Sequence, residues 1–179
     1  MRTARAKRIT IGVVSVFVVA FVLGLFGGEA EAVILLATTN TNAQTDAVAP
    51  FPPTLLDLNG PAAGGTVLTF VTTAANTRVV IRFNAECAIA GATTNWLDVN
   101  ILVNPAGPIG TVAVPPSDSD NALCSGNGTA TVNDGWVSAM TQATMILPVA
   151  GIHTISVQVD PVPDTVWRID DLSLIVETQ

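Results

Sequence analysis

Between Thr77 and Glu86 the chain alternates apolar and polar residues, broken only at Val80. Val79, Ile81, Phe83 and Ala85 share one parity, and Arg78, Arg82, Asn84 and Glu86 share the other. A period of two places each set on its own side of a pleated ribbon, so this segment reads as a half-buried β-strand. Trp96–Val103 repeats the scheme, with Leu97, Val99, Ile101 and Val103 inward and Trp96, Asp98 and Asn100 outward. Thr66–Thr72, Ile109–Val114, Thr129–Val132 and Ile152–Asp160 read as further strands, the last with Ile155, Val157 and Val159 inward. Trp136–Leu147 fits two templates. Trp136, Met140, Ala143 and Leu147 fall at helical spacing, while Val137, Ala139, Thr141, Ala143, Met145 and Leu147 alternate. The β-rich surroundings favour strand.

The closing run, Thr165–Glu177, changes parity part way. Trp167 and Ile169 belong to one set, and Leu172, Leu174 and Val176 to the other. A change of parity within one strand marks an inserted residue, which places a β-bulge at Asp170-Asp171. One of these two aspartates is expected to cap the bulge amides or to pair with Arg168 or another arginine. Turns separate the runs at Asn104-Pro105-Ala106-Gly107-Pro108, Asn133-Asp134-Gly135 and Pro148–Gly151. About seven or eight short strands with such punctuation, and no convincing helix, predict an all-β antiparallel β-sandwich, jelly-roll-like or Ig-like. The tail Trp167-Arg168-Ile169-Asp170-Asp171-Leu172-Ser173-Leu174 resembles the closing strand of carbohydrate-binding-module jelly rolls, which often end in an Ile-Asp-Asp-hydrophobic run. That resemblance implies sandwich topology more than it implies sugar.

Ahead of the strands stands a segment of different character. Arg2, Arg5, Lys7 and Arg8 precede an uncharged, mostly apolar stretch from Ile9 to Phe26, and Ala30-Glu31-Ala32 follows. A basic head, an apolar core and an A-x-A site form an export signal. The apolar stretch is also long enough to serve as an uncleaved anchor. The A-x-A site favours cleavage after Ala32. Residues 1–32 are therefore read as a signal peptide or membrane anchor, and contact with a membrane is expected only through residues 9–26 if the leader stays. Residues 33–53 are read as a flexible arm rich in Thr, Asn and Pro, and residues 54–179 as the sandwich. The expected destination is secreted, periplasmic or cell-surface, or a single-pass anchor carrying an exported domain.

Charge narrows the partners. Beyond residue 32 the chain carries twelve acidic groups against Arg78, Arg82 and Arg168, a formal charge of −9, with no lysine. Nucleic acid and anionic lipid both call for clustered basic residues, so neither is an expected partner. Cys87 and Cys124 are the only cysteines, and an even pair in an oxidising compartment is expected to form a disulfide.

Four constellations are candidates for chemistry. Trp96 with Asp98 and Asn100 offers a flat ring flanked by polar groups, the requirement for stacking a sugar. Asp118, Asp120 and Asn121 in the run Ser117–Asn121, with Asp134 as a further ligand, offer oxygens of the kind that Ca²⁺ takes, though without EF-hand spacing. His153, the only histidine, shares parity with Ile155 and Val157, and is expected at the rim of the core with a backbone hydrogen bond. Paired acids could do glycosidase work, but Asp170 and Asp171 are adjacent, and nothing in the sequence brings Glu86 to either. Asn127-Gly128-Thr129 fits a glycosylation sequon. No nucleophile motif or metal shell accompanies His153. The expectation is an exported, non-catalytic module without a required cofactor, having a structural or interaction role toward a protein or glycan. The alternatives are a carbohydrate-binding module or adhesin assisted by Ca²⁺, and a small secreted hydrolase.

Overall fold

The structure is a computed structural model that describes residues 32–46, 52–60, 65–105, 112–113, 122–126, 128, 135–162 and 165–179. Its described elements are strands: β1 (Ile34–Asn40), β2 (Gln44–Asp46), β3 (Thr54–Leu55), β4 (Leu68–Thr72), β5 (Thr77–Ile89), β6 (Trp96–Pro105), β7 (Val112–Ala113), β8 (Ala122–Ser125), β9 (Val137–Leu147), β10 (Gly151–Val162) and β11 (Trp167–Thr178). They form two antiparallel sheets. The first runs β1-β11-β5-β9, with β2 also on β11; the second runs β3-β10-β6-β7, with β4 on β10 and β8 on β6.

The alternation read from the sequence is the packing. Val79, Ile81 and Phe83 of β5 meet Leu97, Val99 and Ile101 of β6, Val157 and Val159 of β10, and Leu174 and Val176 of β11 in one core. Full burial of a large aliphatic or aromatic side chain is worth about 1.5–3 kcal/mol, so this layer carries most of the stability. Of the ambiguous segment Trp136–Leu147, Val137–Leu147 is strand. Its alternating set faces inward, with Ala143 and Leu147 buried, because β9 pairs residue for residue with β5.

The bulge lies where the parity change put it. The β5–β11 register shifts between Asp170 and Ser173, and Asp171 has φ +43°. Ile169 and Leu172 are consequently both buried. Asp170 does both of the things expected of it: its Oδ1 accepts from the Asp171 amide at 3.0 Å, and its Oδ2 lies 3.6 Å from Arg168 Nη2.

Of the residues 33–53 read as a flexible arm, Ile34–Asn40 and Gln44–Asp46 are instead strands. Ile34–Asn40 pairs with Leu172–Glu177, and Gln44–Asp46 pairs with Trp167–Ile169. The segment is held by side-chain amides and hydroxyls, which leave no apolar period to detect. Asn40, almost fully buried, donates from Nδ2 to the Asp57 carbonyl at 2.8 Å. Gln44 donates to that same carbonyl at 2.8 Å and accepts from the Asp57 amide at 2.6 Å. Thr38 donates to the Leu58 carbonyl at 3.0 Å.

Two smaller differences follow from pairing. Ala122–Ser125, not among the strands expected from the sequence, is a short strand on β6. Thr77–Glu86 extends to Ile89, because β11 continues beside it. The expected strand Thr129–Val132 lies outside the described residues. Cys87 of β5 and Cys124 of β8 form the disulfide, with Cα atoms 6.3 Å apart, so the bond crosses from one sheet to the other. No helix among the described residues is long and apolar enough to cross a membrane.

Candidate functional site

The residues proposed from sequence for a sugar platform occupy the outer side of β6, as their parity required, but that side is not open there. Asp98 is 4% exposed, while Trp96 and Asn100 are half-buried. The Trp96 indole Nε1 is buried, with no hydrogen-bond partner among the described residues. The expectation that Asp98 stands in the open beside the ring is therefore corrected. A period of two decides which side of a sheet a residue takes, not whether that side meets water. Asp118, Asp120, Asn121 and Asp134 lie outside the described residues, as do Asn127 and Thr129 of the sequon. No cluster of three or more metal-ligating residues occurs among the described ones.

His153 is fully buried, not at the rim. Its ring stacks on Phe70 with centroids 5.3 Å apart, and Nε2 lies 3.0 Å from Thr72 Oγ1. Both partners sit on β4, which pairs with β10 at this point. Burial lowers its pKa below 6.5 against an opposing backbone hydrogen bond at Val149, so the imidazole is held neutral.

The other outer face, on the first sheet, assembles a group that the sequence did not bring together. Register sets Ala88 opposite Arg168 in one row, with Trp136 just ahead of β9, and Ser138, Glu86 and Asp170 in the next, across β9, β5 and β11. A third row holds Met140, Asn84 and Ser173. Ala88, though outward, is only 2% exposed. Its small side chain lets its neighbours close above it: the Arg168 guanidinium carbon lies 5.0 Å from the Trp136 ring centroid. Asn84 Nδ2 donates to Ser173 Oγ at 3.3 Å. Farther along, Arg82 is fixed by Glu177 at 2.6 Å and by Gln142 Oε1 at 3.1 Å.

Beside the bulge a shallow groove of about 310 Å³ opens on this face, lined by Asn84, Glu86, Ser138, Met140 and Asp171 with Ala85 and Ala139. The bulge makes it, because the inserted residue carries Asp171 out of the strand and into solvent. Glu86 and Asp171 bring two carboxylates, Asn84 an amide, Ser138 a hydroxyl and Met140 an apolar wall. The missing signal was pairing. Each strand showed its polar set, but only the β5–β11 register puts Glu86 opposite Asp170.

No family model and no curated protein matches the chain. Among solved structures it is similar to the VP2 subviral particle of infectious bursal disease virus, with a TM-score of 0.47 and 13% identity over 83% of this chain and 33% of that one. It is also similar to the Gx strain of that virus, with a TM-score of 0.46 and 12% identity over 83% and 32%. A third similarity is to CBM35 from Cellvibrio japonicus Abf62, with a TM-score of 0.32 and 17% identity over 80% of this chain and 92% of that one. The chain spans about a third of the length of the viral chains it matches.

Proposed function

We propose that this chain is an exported, non-catalytic β-sandwich module that works by contact, and that its contact site is the groove beside the bulge on the first sheet. The observation that carries this reading is the convergence of Glu86, Asp171, Asn84 and Ser138 around an apolar wall at Met140. Such a set accepts and donates hydrogen bonds to hydroxyls while covering C–H surface, which is the chemistry of a polyhydroxylated ligand such as a glycan. The inter-sheet disulfide and the export signal support an oxidising destination at the surface or outside the cell.

The non-catalytic part of the reading rests on how the reactive groups are held. His153 is sealed against Phe70 and Thr72. Asp170 is engaged by the bulge amide and by Arg168. Glu86 and Asp170 lie side by side on one exposed sheet face, not on opposite walls of a cleft as glycoside hydrolysis requires.

The test is a glycan array followed by titration, using the intact protein and the double variant Glu86→Gln, Asp171→Asn, which removes both charges and keeps the shapes. The expected result is retention of at least one glycan class, with affinity lowered about tenfold or more in the variant, equivalent to about 1.4 kcal/mol, and melting unchanged. Retention of no glycan, or equal binding by both proteins, overturns the assignment.

A further inference from the structure

The groove beside the bulge has a continuation on the same face. Between β11 and β1 lies a second shallow groove of about 410 Å³, lined by Ala37, Thr38, Thr39, Ser173 and Ile175. Ala37 and Thr39 are exposed there, and Ser173 and Ile175 are half-buried. Register joins the two depressions. Thr39 lies opposite Ser173, Ser173 opposite Asn84, and Asn84 opposite Met140. One row thus crosses β1, β11, β5 and β9, a run of about 14 Å at the usual spacing between strands. Where the grooves meet, Asn84 of the first donates from Nδ2 to Ser173 Oγ of the second at 3.3 Å.

The chemistry along that row repeats. Thr39, Ser173 and Asn84 offer a hydroxyl or an amide at each strand, and Ala37, Ile175 and Met140 set aliphatic surface beside them. The bond between Asn84 and Ser173 uses one amide hydrogen and one hydroxyl lone pair. Asn84 Oδ1 remains as an acceptor and the Ser173 hydroxyl hydrogen as a donor. Charge is confined to one end. Glu86 and Asp171 line the first groove, whereas the described lining of the second is uncharged. Glu177, two residues beyond Ile175 on β11, is paired with Arg82 at 2.6 Å.

Resting on the glycan reading of the first groove, we propose that the two grooves form one track and that its ligand is an extended, unbranched, neutral polysaccharide laid across the strands. Length selects a chain, because the row is longer than one sugar ring. A straight row takes a straight ligand, so the linkage is β-1,4, in which successive rings advance by about the distance from one strand to the next. Charge selects neutrality. Uronate or sulfate groups would be set against Glu86 and Asp171 on a domain that is already strongly acidic.

Calorimetric titration of the intact protein with β-1,4-linked glucose, mannose and xylose oligomers, from the disaccharide to the hexasaccharide, tests the track. In at least one series the hexasaccharide is expected to bind about tenfold or more tighter than the disaccharide, since only the longer chain reaches both grooves. The variant Ala37→Leu, Thr39→Leu fills the second groove. It is expected to bring hexasaccharide affinity down to that of the disaccharide and to leave disaccharide binding unchanged. Glu86→Gln, Asp171→Asn is expected to weaken both. Equal affinity for short and long oligomers overturns the track and leaves the glycan reading of the first groove standing. Binding of galacturonate oligomers with none of the neutral series retained overturns the neutral assignment. Retention of no glycan removes the track and the reading on which it rests. The comparison of lengths in the wild type decides the matter even where the filled variant fails to fold.

Discussion

The Arg168 guanidinium lies 5.0 Å from the Trp136 ring centroid, although β11, which carries Arg168, does not pair with β9, which begins just after Trp136. β5 runs between β11 and β9, and Ala88, opposite Arg168, is buried there. Two long side chains can meet over a third strand only if the intervening side chain is short. Ala88→Leu is therefore expected to force the pair apart and to destabilise the protein by about 1–3 kcal/mol, the usual cost of overpacking. Arg168→Ala should cost less, about 0.5–1 kcal/mol for an exposed cation–π contact plus its weak bridge to Asp170. Both variants should shift tryptophan emission. Urea unfolding followed by fluorescence separates the two, and equal costs would show that Ala88 is not the spacer.

Asn40 tests whether the N-terminal strands belong to the fold. Its Nδ2 is bonded to the Asp57 carbonyl, and its Oδ1 accepts from both the backbone amide and the side chain of Asn42 at 2.9 Å. Asn40→Ala leaves buried polar groups without partners, a loss of about 1–3 kcal/mol. Asn40→Asp should be destabilising as well, since a carboxylate cannot donate to the Asp57 carbonyl. Protease sensitivity near residues 34–46 is expected to rise with the loss of stability. A tail with no structural role would show neither effect.

His153 gives the protein a pH dependence of definite sign. Burial lowers its folded pKa, whereas the unfolded chain titrates near 6.5. Above that value both states are neutral and the group contributes no slope. As pH falls below 6.5 the unfolded state takes up a proton that the folded state resists. Stability then drops, at no more than about 1.4 kcal/mol per pH unit from one group, until the folded pKa is reached. Unfolding free energies measured between neutrality and mild acid should show this loss in the wild type. In His153→Leu the slope should flatten, although the variant starts lower for want of the Thr72 contact. A wild-type slope of the opposite sign would mean that the imidazole is charged in the fold.

The Cys87–Cys124 bond closes a loop with a sequence separation of 37 and joins the two sheets. Reduction, or the double change Cys87→Ala and Cys124→Ala, is expected to cost about 4 kcal/mol in the chain-entropy picture. Melting with and without reductant measures it. The native protein should show no titratable thiol before denaturation, and two free thiols in non-reduced material would remove the link.

Most of the sandwich could be read before any coordinates were known, for a local reason. Each strand must present one face to the core, so the alternation in Thr77–Glu86, the inward run Leu97-Val99-Ile101-Val103 and the parity change at Asp170-Asp171 are properties of neighbouring residues. The core side chains, the bulge and the disulfide follow from such patterns and from the count of cysteines. Residues 34–46 escaped because what holds them is side-chain bonding from Asn40, Gln44 and the Thr38 hydroxyl to the Asp57 and Leu58 carbonyls, and pairing with β11 at the other end of the chain.

The site escaped for a related reason. Parity could say that Trp96 and Asp98 face outward, yet it could not say that Asp98 is buried there. Nor could it put Glu86 opposite Asp170, or Ala88 opposite Arg168, since those relations exist only once β11 and β9 take their places on either side of β5. The amino-acid order settled what each ribbon turns toward the interior. Which ribbons lie side by side, and therefore which polar groups share a surface, was settled by long-range pairing, where burial of the whole layer selects one arrangement among many locally equivalent ones.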